Sequence, residues 1–152
     1  MTRYETQAEI ARSADEVWTY AADILRHTEW MSVADAQLLA GDGTQVGARG
    51  RERLLLGPFK WDVEFEVVEA EPGRRLLWRS RDARFDLEIG LELEPSGLTS
   101  VRARYHGAAQ MHGKWRLLSP LVAMEGSAGV RRELDRLKAR VEGAPAAVAT
   151  DP

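Results

Sequence analysis

The sequence predicts an α+β domain: a seven-stranded antiparallel sheet, two short helices after the first strand, and one long C-terminal helix covering one face. Three observations lead to this reading. From residue 33 to about residue 107, apolar and polar positions alternate with the period of two that marks half-buried strands. The stretch "LLLGPFKW" (54–61) folds back at Gly57-Pro58 and sets a run of arginines opposite a run of acids. Beyond Ser119 the apolar residues recur at helical spacing on one side only, so the greasy face of the sheet has a single cover.

Residues 3–11 form the first strand, with Tyr4, Thr6, Ala8 and Ile10 on one face and Arg3, Glu5, Gln7 and Glu9 on the other. Ser13 is an N-cap, and Glu16 completes a capping box three residues on. Ala14, Val17, Trp18 and Ala21 then make the apolar stripe of a short helix. Within "EVWTYAADILRHTEW" (16–30) the rhythm breaks at Asp23, which starts a second short helix ending at Trp30. Trp30 is expected to plug the core under that helix, and His27 to lie on its exposed side.

Pairing Leu56 with Phe59 sets Arg53, Arg51 and Arg49 opposite Asp62, Glu64 and Glu66. Each such cross-strand pair contributes about 0.2–1 kcal/mol, and a wrong register would lose all of them. The other face then pairs Leu54 with Trp61, Gly50 with Phe65 and Ala48 with Val67, and it turns Glu52 inward opposite Val63. A turn at "EPGR" (71–74) is expected to bring Phe65 opposite Trp78 and Val67 opposite Leu76. One at Asp82-Ala83 brings Trp78 opposite Leu87 and Leu76 opposite Ile89, with Arg79 facing Asp86 outside. A loop at "PSG" (95–97) sets Leu91 opposite Ala103 and Ile89 opposite Tyr105.

Ser119-Pro120 reads as N-cap and first residue of the last helix, with 114–118 as an extra turn before it. Its apolar side is read as Leu121, Met124, Ala128, Val130, Leu134, Leu137 and Val141. Gly126 and Gly129 inside it cost roughly 0.5–1 kcal/mol each relative to Ala, which points to close backbone approach or to a space left for something else.

Composition narrows the function. The 152 residues suit one domain over 1–142, followed by a small-residue tail, 143–152, expected to be disordered. A net charge of −3 and a pI near 5.7 argue against nucleic acid as the partner. There is no cysteine, hence no disulfide, thiol nucleophile or zinc-thiolate site, in keeping with a cytoplasmic location. The polar, alternating N-terminus is unlike a signal peptide, and no apolar run approaches the roughly 20 residues of a membrane span, so no membrane insertion is expected. No Ser-His-Asp set or phosphate-binding glycine loop is recoverable, and no cofactor is expected. His106 and His112 have no adjacent carboxylate or cysteine, so no metal site is expected either. Oligomeric state is not legible.

The order of strand, two short helices, meander and long helix resembles the START-like (SRPBCC) superfamily, specifically its polyketide cyclase/dehydrase and lipid-transport branch. The resembling stretches are "ARSADEVWTYAADILRHTEWM", "VGARGRERLLLGPFKWDVEFEVVEAEPGRRLLWRS" and "ELDRLKARVE", and coverage runs from residue 2 to about 142. The resemblance implies a helix-grip fold: a curved sheet wrapped round the last helix, with a hydrophobic cavity between them and an entrance near the short helices and the loop before the last helix. A curved sheet cannot lie flat on a straight helix, so aromatic side chains must fill the wedge or leave a pocket.

The expected ligand-binding residues are Trp61, Phe65, Trp78 and Phe85, with Leu87, Ile89 and Tyr105 beside them. Met111, Trp115, Leu121 and Met124 complete the expected ligand-binding set. Glu52 stands out, because a carboxylate on an apolar face is costly unless it is paired. A bulge turning it outward, or a partner such as Tyr4 or Ser80, is the alternative to a role as general acid or ligand anchor. Glu125, beside the helical stripe, and Tyr105 are the other candidate proton donors; no catalytic set is assigned. The first functional reading is binding of a small hydrophobic or aromatic molecule, lipid or polyketide-like. The alternatives are an aromatase/cyclase-like dehydratase acting on a polyketide, and a protein-interaction module.

Overall fold

The computed structural model describes residues 2–149, and of 144–149 the backbone alone. Of the tail expected to be disordered at 143–152, the backbone of 143–149 continues the last helix, and 150–152 lie outside the described residues. The chain runs β1 (Thr2–Ile10), α1 (Ala14–Ala22), a 3-10 turn (Ile24–Arg26), α2 (His27–Trp30), β2 (Val33–Ala40), β3 (Arg49–Leu56) and β4 (Phe59–Glu71). It continues with β5 (Arg75–Arg81), β6 (Phe85–Gly97), β7 (Ser100–Met111), a 3-10 segment (Gly113–Leu118) and α3 (Ser119–Ala149). The seven strands make one open antiparallel sheet in the order β1-β7-β6-β5-β4-β3-β2. Helix α3 crosses its inner face against β1 and β7, with α1 and α2 packed on the helix's other flank.

The capping box forms as expected: the Ser13 hydroxyl accepts from the Glu16 N–H, and the Glu16 carboxylate accepts from the Ser13 N–H. Asp23 then ends α1 and accepts from the Leu25 N–H, which starts the 3-10 turn. In the β3–β4 hairpin, Leu56 pairs with Phe59 and Glu52 with Val63. Arg51–Glu64 and Arg53–Asp62 close as ion pairs at 3.0 Å each on the outer face.

The next three hairpins differ from the expected register by two residues. Trp78 lies opposite Val67, not Phe65, and a bulge between Val67 and Glu69 brings Leu76 opposite Ala70. Ile89 rather than Leu87 faces Trp78, Arg79 faces Glu88, and Tyr105 faces Leu91. A shift of two keeps every side chain on its face, so the apolar pattern tolerates it. The turns decide: Arg74 N–H donates to the Glu71 carbonyl and closes the expected turn at 71–74, while Asp82 N–H donates to the Phe85 carbonyl and centres the next loop one residue later than Asp82-Ala83 suggests. β2 is held only by β3, with breaks in pairing between Val33 and Ala36 and between Leu38 and Ala40.

Helix α3 also differs from expectation. The 3-10 segment runs straight into it, so Ser119 is helical (φ −54, ψ −40) rather than a cap. Met124 is 65% exposed and Ala128 is exposed. The stripe that meets the sheet is Val122, Gly126, Gly129–Val130, Glu133–Leu134, Leu137 and Val141, an unbroken helical repeat. Gly126 belongs to it because a Cβ there would stand 2.6 Å from the Tyr4 ring of β1. Glycine lets the helix approach that strand.

Buried apolar side chains form two groups. The larger lies under α1, α2 and the second half of α3, around Ile24, Trp30, Trp78, Tyr105 and Leu134. The smaller, Trp61, Val63, Phe85 and Met111, is covered by Trp115, Leu118 and Val122. No helix among the described residues is long and apolar enough to cross a membrane.

Gly50 of β3 is the tightest inner-face position, since a Cβ there would lie 2.6 Å from the Phe65 ring and 3.1 Å from the Gln37 carbonyl oxygen. Gly50→Ala should therefore cost roughly 1–3 kcal/mol, read as a lower urea midpoint at unchanged slope.

Candidate functional site

The two apolar groups do not close on each other, and the gap between them is a cavity of two adjoining lobes. The inner lobe, about 40 Å³, lies beneath α2 and is walled by Phe65 and Trp78 from the larger group and Val63 from the smaller. The outer lobe, about 120 Å³, runs under α3 past Phe85, Met111 and the helix glycines Gly126 and Gly129. Leu54, Leu87, Ile89 and Glu133 belong to the walls of both. A dry cavity of about 150 Å³ is known to hold a benzene ring, so the two lobes match one ring with a substituent.

Two hydrogen-bonded pairs of ionisable side chains stand at this space: His27, Glu52 and Glu133 line it, and Tyr105 lies behind Glu133. Glu52 points inward as its register requires and is only 7% exposed. Its partner is neither Tyr4 nor Ser80, which donate to the Val122 and Glu64 carbonyls. It is His27, whose Nδ1 lies 2.6 Å from Glu52 Oε2, while Nε2–H donates to the Ala21 carbonyl at 3.0 Å. That carbonyl can only accept, which fixes a proton on Nε2, so one further proton lies between Nδ1 and Oε2. Imidazole and carboxyl therefore share a proton as a neutral pair that burial tolerates.

The second pair is Glu133 and Tyr105. The Tyr105 hydroxyl donates to Glu133 Oε1 at 2.6 Å, and the Ser32 N–H donates to Oε2 at 2.9 Å. Arg136, one turn on, ties α3 to the same corner through the Trp30 carbonyl and the Ser32 hydroxyl. Burial first, then the Glu133 charge, pushes the Tyr105 phenol well above its ordinary 10.0. Burial also raises Tyr4, and burial with the Glu29 hydrogen bond raises Tyr20 to about 12.

His27 corrects the sequence reading most sharply: it is 0% exposed, not solvent-facing. In a 3-10 turn side chains three apart eclipse, so Ile24 and His27 share a face, and Trp30 one α-turn later joins them. Trp30 is the expected plug, edge-on to Tyr105 with centroids 5.5 Å apart. The spacing Ile24–His27–Trp30 was the available signal. Glu133 carries a similar signal, since its place between Val130 and Leu137 marks it as inward.

Of the expected ligand residues, Phe65, Trp78, Phe85, Leu87, Ile89 and Met111 stand in the cavity walls. Trp61 and Trp115 pack edge-on to one another beside the cavity, with centroids 5.6 Å apart. Tyr105 is fully buried behind Glu133. Leu121 instead packs over the Gly57 turn, and Met124 faces outward, because the true stripe of α3 runs through Val122 and Gly126, one position from Leu121 and two from Met124. Glu125 sits at the outer lobe beside Arg132, at 3.7 Å. His112 pairs with Asp86 at 3.3 Å and His106 with Glu92 at 3.4 Å. Among the described residues no cluster is suited to a metal ion.

Residues 1–142 match the family described as polyketide cyclase/dehydrase and lipid transport. No curated protein is significantly similar in sequence. Among solved structures, a START superfamily protein from Mycobacterium smegmatis superposes with a TM-score of 0.78 at 16% identity, covering 93% of this chain and 97% of that one. An aromatase/cyclase from a Streptomyces species gives 0.73 at 13% identity, covering 94% and 97%. Norcoclaurine synthase from Thalictrum, in complex with a transition-state analogue, gives 0.68 at 14% identity, covering 92% and 93%. At these identities the likeness establishes the helix-grip fold.

Two outcomes follow from the buried pairs. Glu52→Leu strands His27, and His27→Phe strands the carboxyl; each should cost about 3 kcal/mol or more in urea unfolding, while the double replacement costs less than their sum. Stability should also fall as pH rises above 10.0, because the phenols ionise there in the unfolded chain while Tyr105 and Tyr20 stay protonated in the folded one. Urea midpoints measured across that range should show a smaller loss in Tyr105→Phe.

Proposed function

The chain belongs to the polyketide cyclase/dehydrase and lipid transport family, and on that premise we propose that it binds a small aromatic or otherwise apolar molecule in the cavity beneath α3. One observation carries this reading. Two well-packed apolar groups leave adjoining lobes between them, and Gly129 of α3, whose Cβ would meet nothing nearer than the Arg132 guanidinium at 3.9 Å, leaves room in the outer lobe that a larger side chain would fill. The size of the lobes favours a ring-sized group over a whole lipid. Apolar lining with a few convergent polar groups is the common make-up of small-molecule sites.

A second reading, acid–base catalysis on a polyketide, is favoured by one particular: the Glu52 carboxyl, backed by a proton-sharing histidine, stands in the wall of the inner lobe. A candidate base must stand within reach of the proton it moves, and Glu52 lines the inner lobe where a bound molecule would lie. If Glu52→Gln turned over a poly-β-ketone as fast as the parent protein, that reading would be lost.

Binding is tested with p-xylene, a ring without a polar head, by isothermal titration calorimetry. It should bind saturably at one site, and Leu87→Trp, which fills the wall shared by the lobes, should abolish the heat while far-ultraviolet circular dichroism stays unchanged. Native mass spectrometry of freshly purified protein should show a co-purifying apolar molecule. No p-xylene binding by the parent protein would end the proposal.

A further inference from the structure

We propose that the 3-10 segment and first turns of α3 form a docking surface for anionic lipid, on which the protein rests without crossing the bilayer. The inference is independent of the reading of the cavity.

The stretch Gly113–Met124 carries two cations, Lys114 and Arg116, and no acid, in a chain whose net charge is −3. Its inward side chains are accounted for, since Trp115, Leu118 and Val122 cover the smaller apolar group. Its outward side chains are apolar as well. Leu117 is 85% exposed and Met124 65%, with exposed Pro120 and Ala123 between them and half-buried Leu121 reaching the Gly57 turn. Leu117, Leu121 and Met124 follow one another at intervals of four and three, which sets them on one helical face. Single apolar residues on a surface need no explanation, but a row of them marks a contact.

The two cations stand beside that row. Lys114 Nζ lies over the Trp115 ring, 5.3 Å from its centroid, and Arg116 is exposed. Neither closes an ion pair among the described residues, whereas the neighbouring acids Asp86 and Glu125 are taken by His112 and Arg132. On the outer face of the sheet, by contrast, Arg51, Arg53 and Arg79 each meet an acid.

Projecting aliphatic side chains, a tryptophan and unanswered cations in one short helical stretch suit the plane of a bilayer interface. There the apolar side chains enter the acyl boundary while the cations stay with the headgroup phosphates. An anionic surface repels a net-negative chain except through a face without acids, so charge selects this one. A second copy fits less well, because an isologous contact through the same face sets Lys114 and Arg116 against their own images.

The chain has no cysteine, so Leu117→Cys carries a single environment-sensitive dye, nitrobenzoxadiazole. The control is Leu98→Cys, which lies 97% exposed at the other end of β7. With vesicles of phosphatidylcholine containing about one-third phosphatidylserine, the dye at 117 should brighten and shift to the blue, and the dye at 98 should not. Vesicles of phosphatidylcholine alone should bind at least about tenfold more weakly, and added salt should erode the difference. In the unlabelled chain, Leu117→Ser with Met124→Ser should lower co-sedimentation about tenfold, and Lys114→Glu with Arg116→Glu should remove the preference for anionic vesicles. Far-ultraviolet circular dichroism checks that these variants fold; should one not, the dye readings decide. No association with anionic vesicles, equal association with both kinds, or an equal shift at 98 overturns the proposal. So does a dimer in analytical ultracentrifugation that Leu117→Ser dissolves, since it makes a second copy the occupant. None of these outcomes bears on p-xylene binding.

Discussion

The fold is organised around a carboxyl group on the wrong face of a strand. Glu52 sits where β3 should present an apolar residue, and burying it alone would cost several kcal/mol. His27 removes that cost, but only if the corner between α1 and α2 is pressed onto the sheet so that the Ala21 carbonyl takes the other ring nitrogen. Once the corner is fixed, Trp30 is carried under it, and its carbonyl and the following Ser32 become the docking points for Arg136 and Glu133 of α3. Sheet, corner and last helix are thus joined by one chain of polar contacts through the apolar interior. Such contacts are directional, and they specify a single arrangement where apolar packing alone would tolerate several.

The cavity follows from the same arrangement. The polar chain and Gly126 draw α3 toward β1, β7 and the short helices, away from the middle strands. Side chains of β3 to β6 meet the helix incompletely there, and the opening retains whatever polar atoms the network does not use. Apolar walls and ionisable end are consequences of one geometry.

How much of this was legible depended on which physical signal carried it. The β3–β4 register was, because arginines and acids opposite one another are discrete markers. The later hairpins carry only the period of two, which fixes the face and leaves the offset to the turns; the Val67–Glu69 bulge has no signal in that pattern. Glu52 is placed inward by register alone, whereas its partner His27 turns inward through a 3-10 step that only the spacing Ile24–His27–Trp30 signals. On α3 the polar Glu133 and the side-chain-less Gly126 lie in the buried stripe, so a search for large apolar residues slid off it onto Met124. Residues that build a cavity are the ones a hydrophobic pattern omits.

The interrupted pairing of β2 bears on the behaviour of many copies at once. An open sheet ends in unpaired backbone groups that can recruit another chain, and a long flat border invites stacking into fibres. Here the β2 border is broken twice within its eight residues, so its free N–H and C=O groups do not form a straight ladder. Exposed Leu38 and Leu39 on that border would otherwise be sticky. The irregularity makes this border a poor template for a strand of another copy.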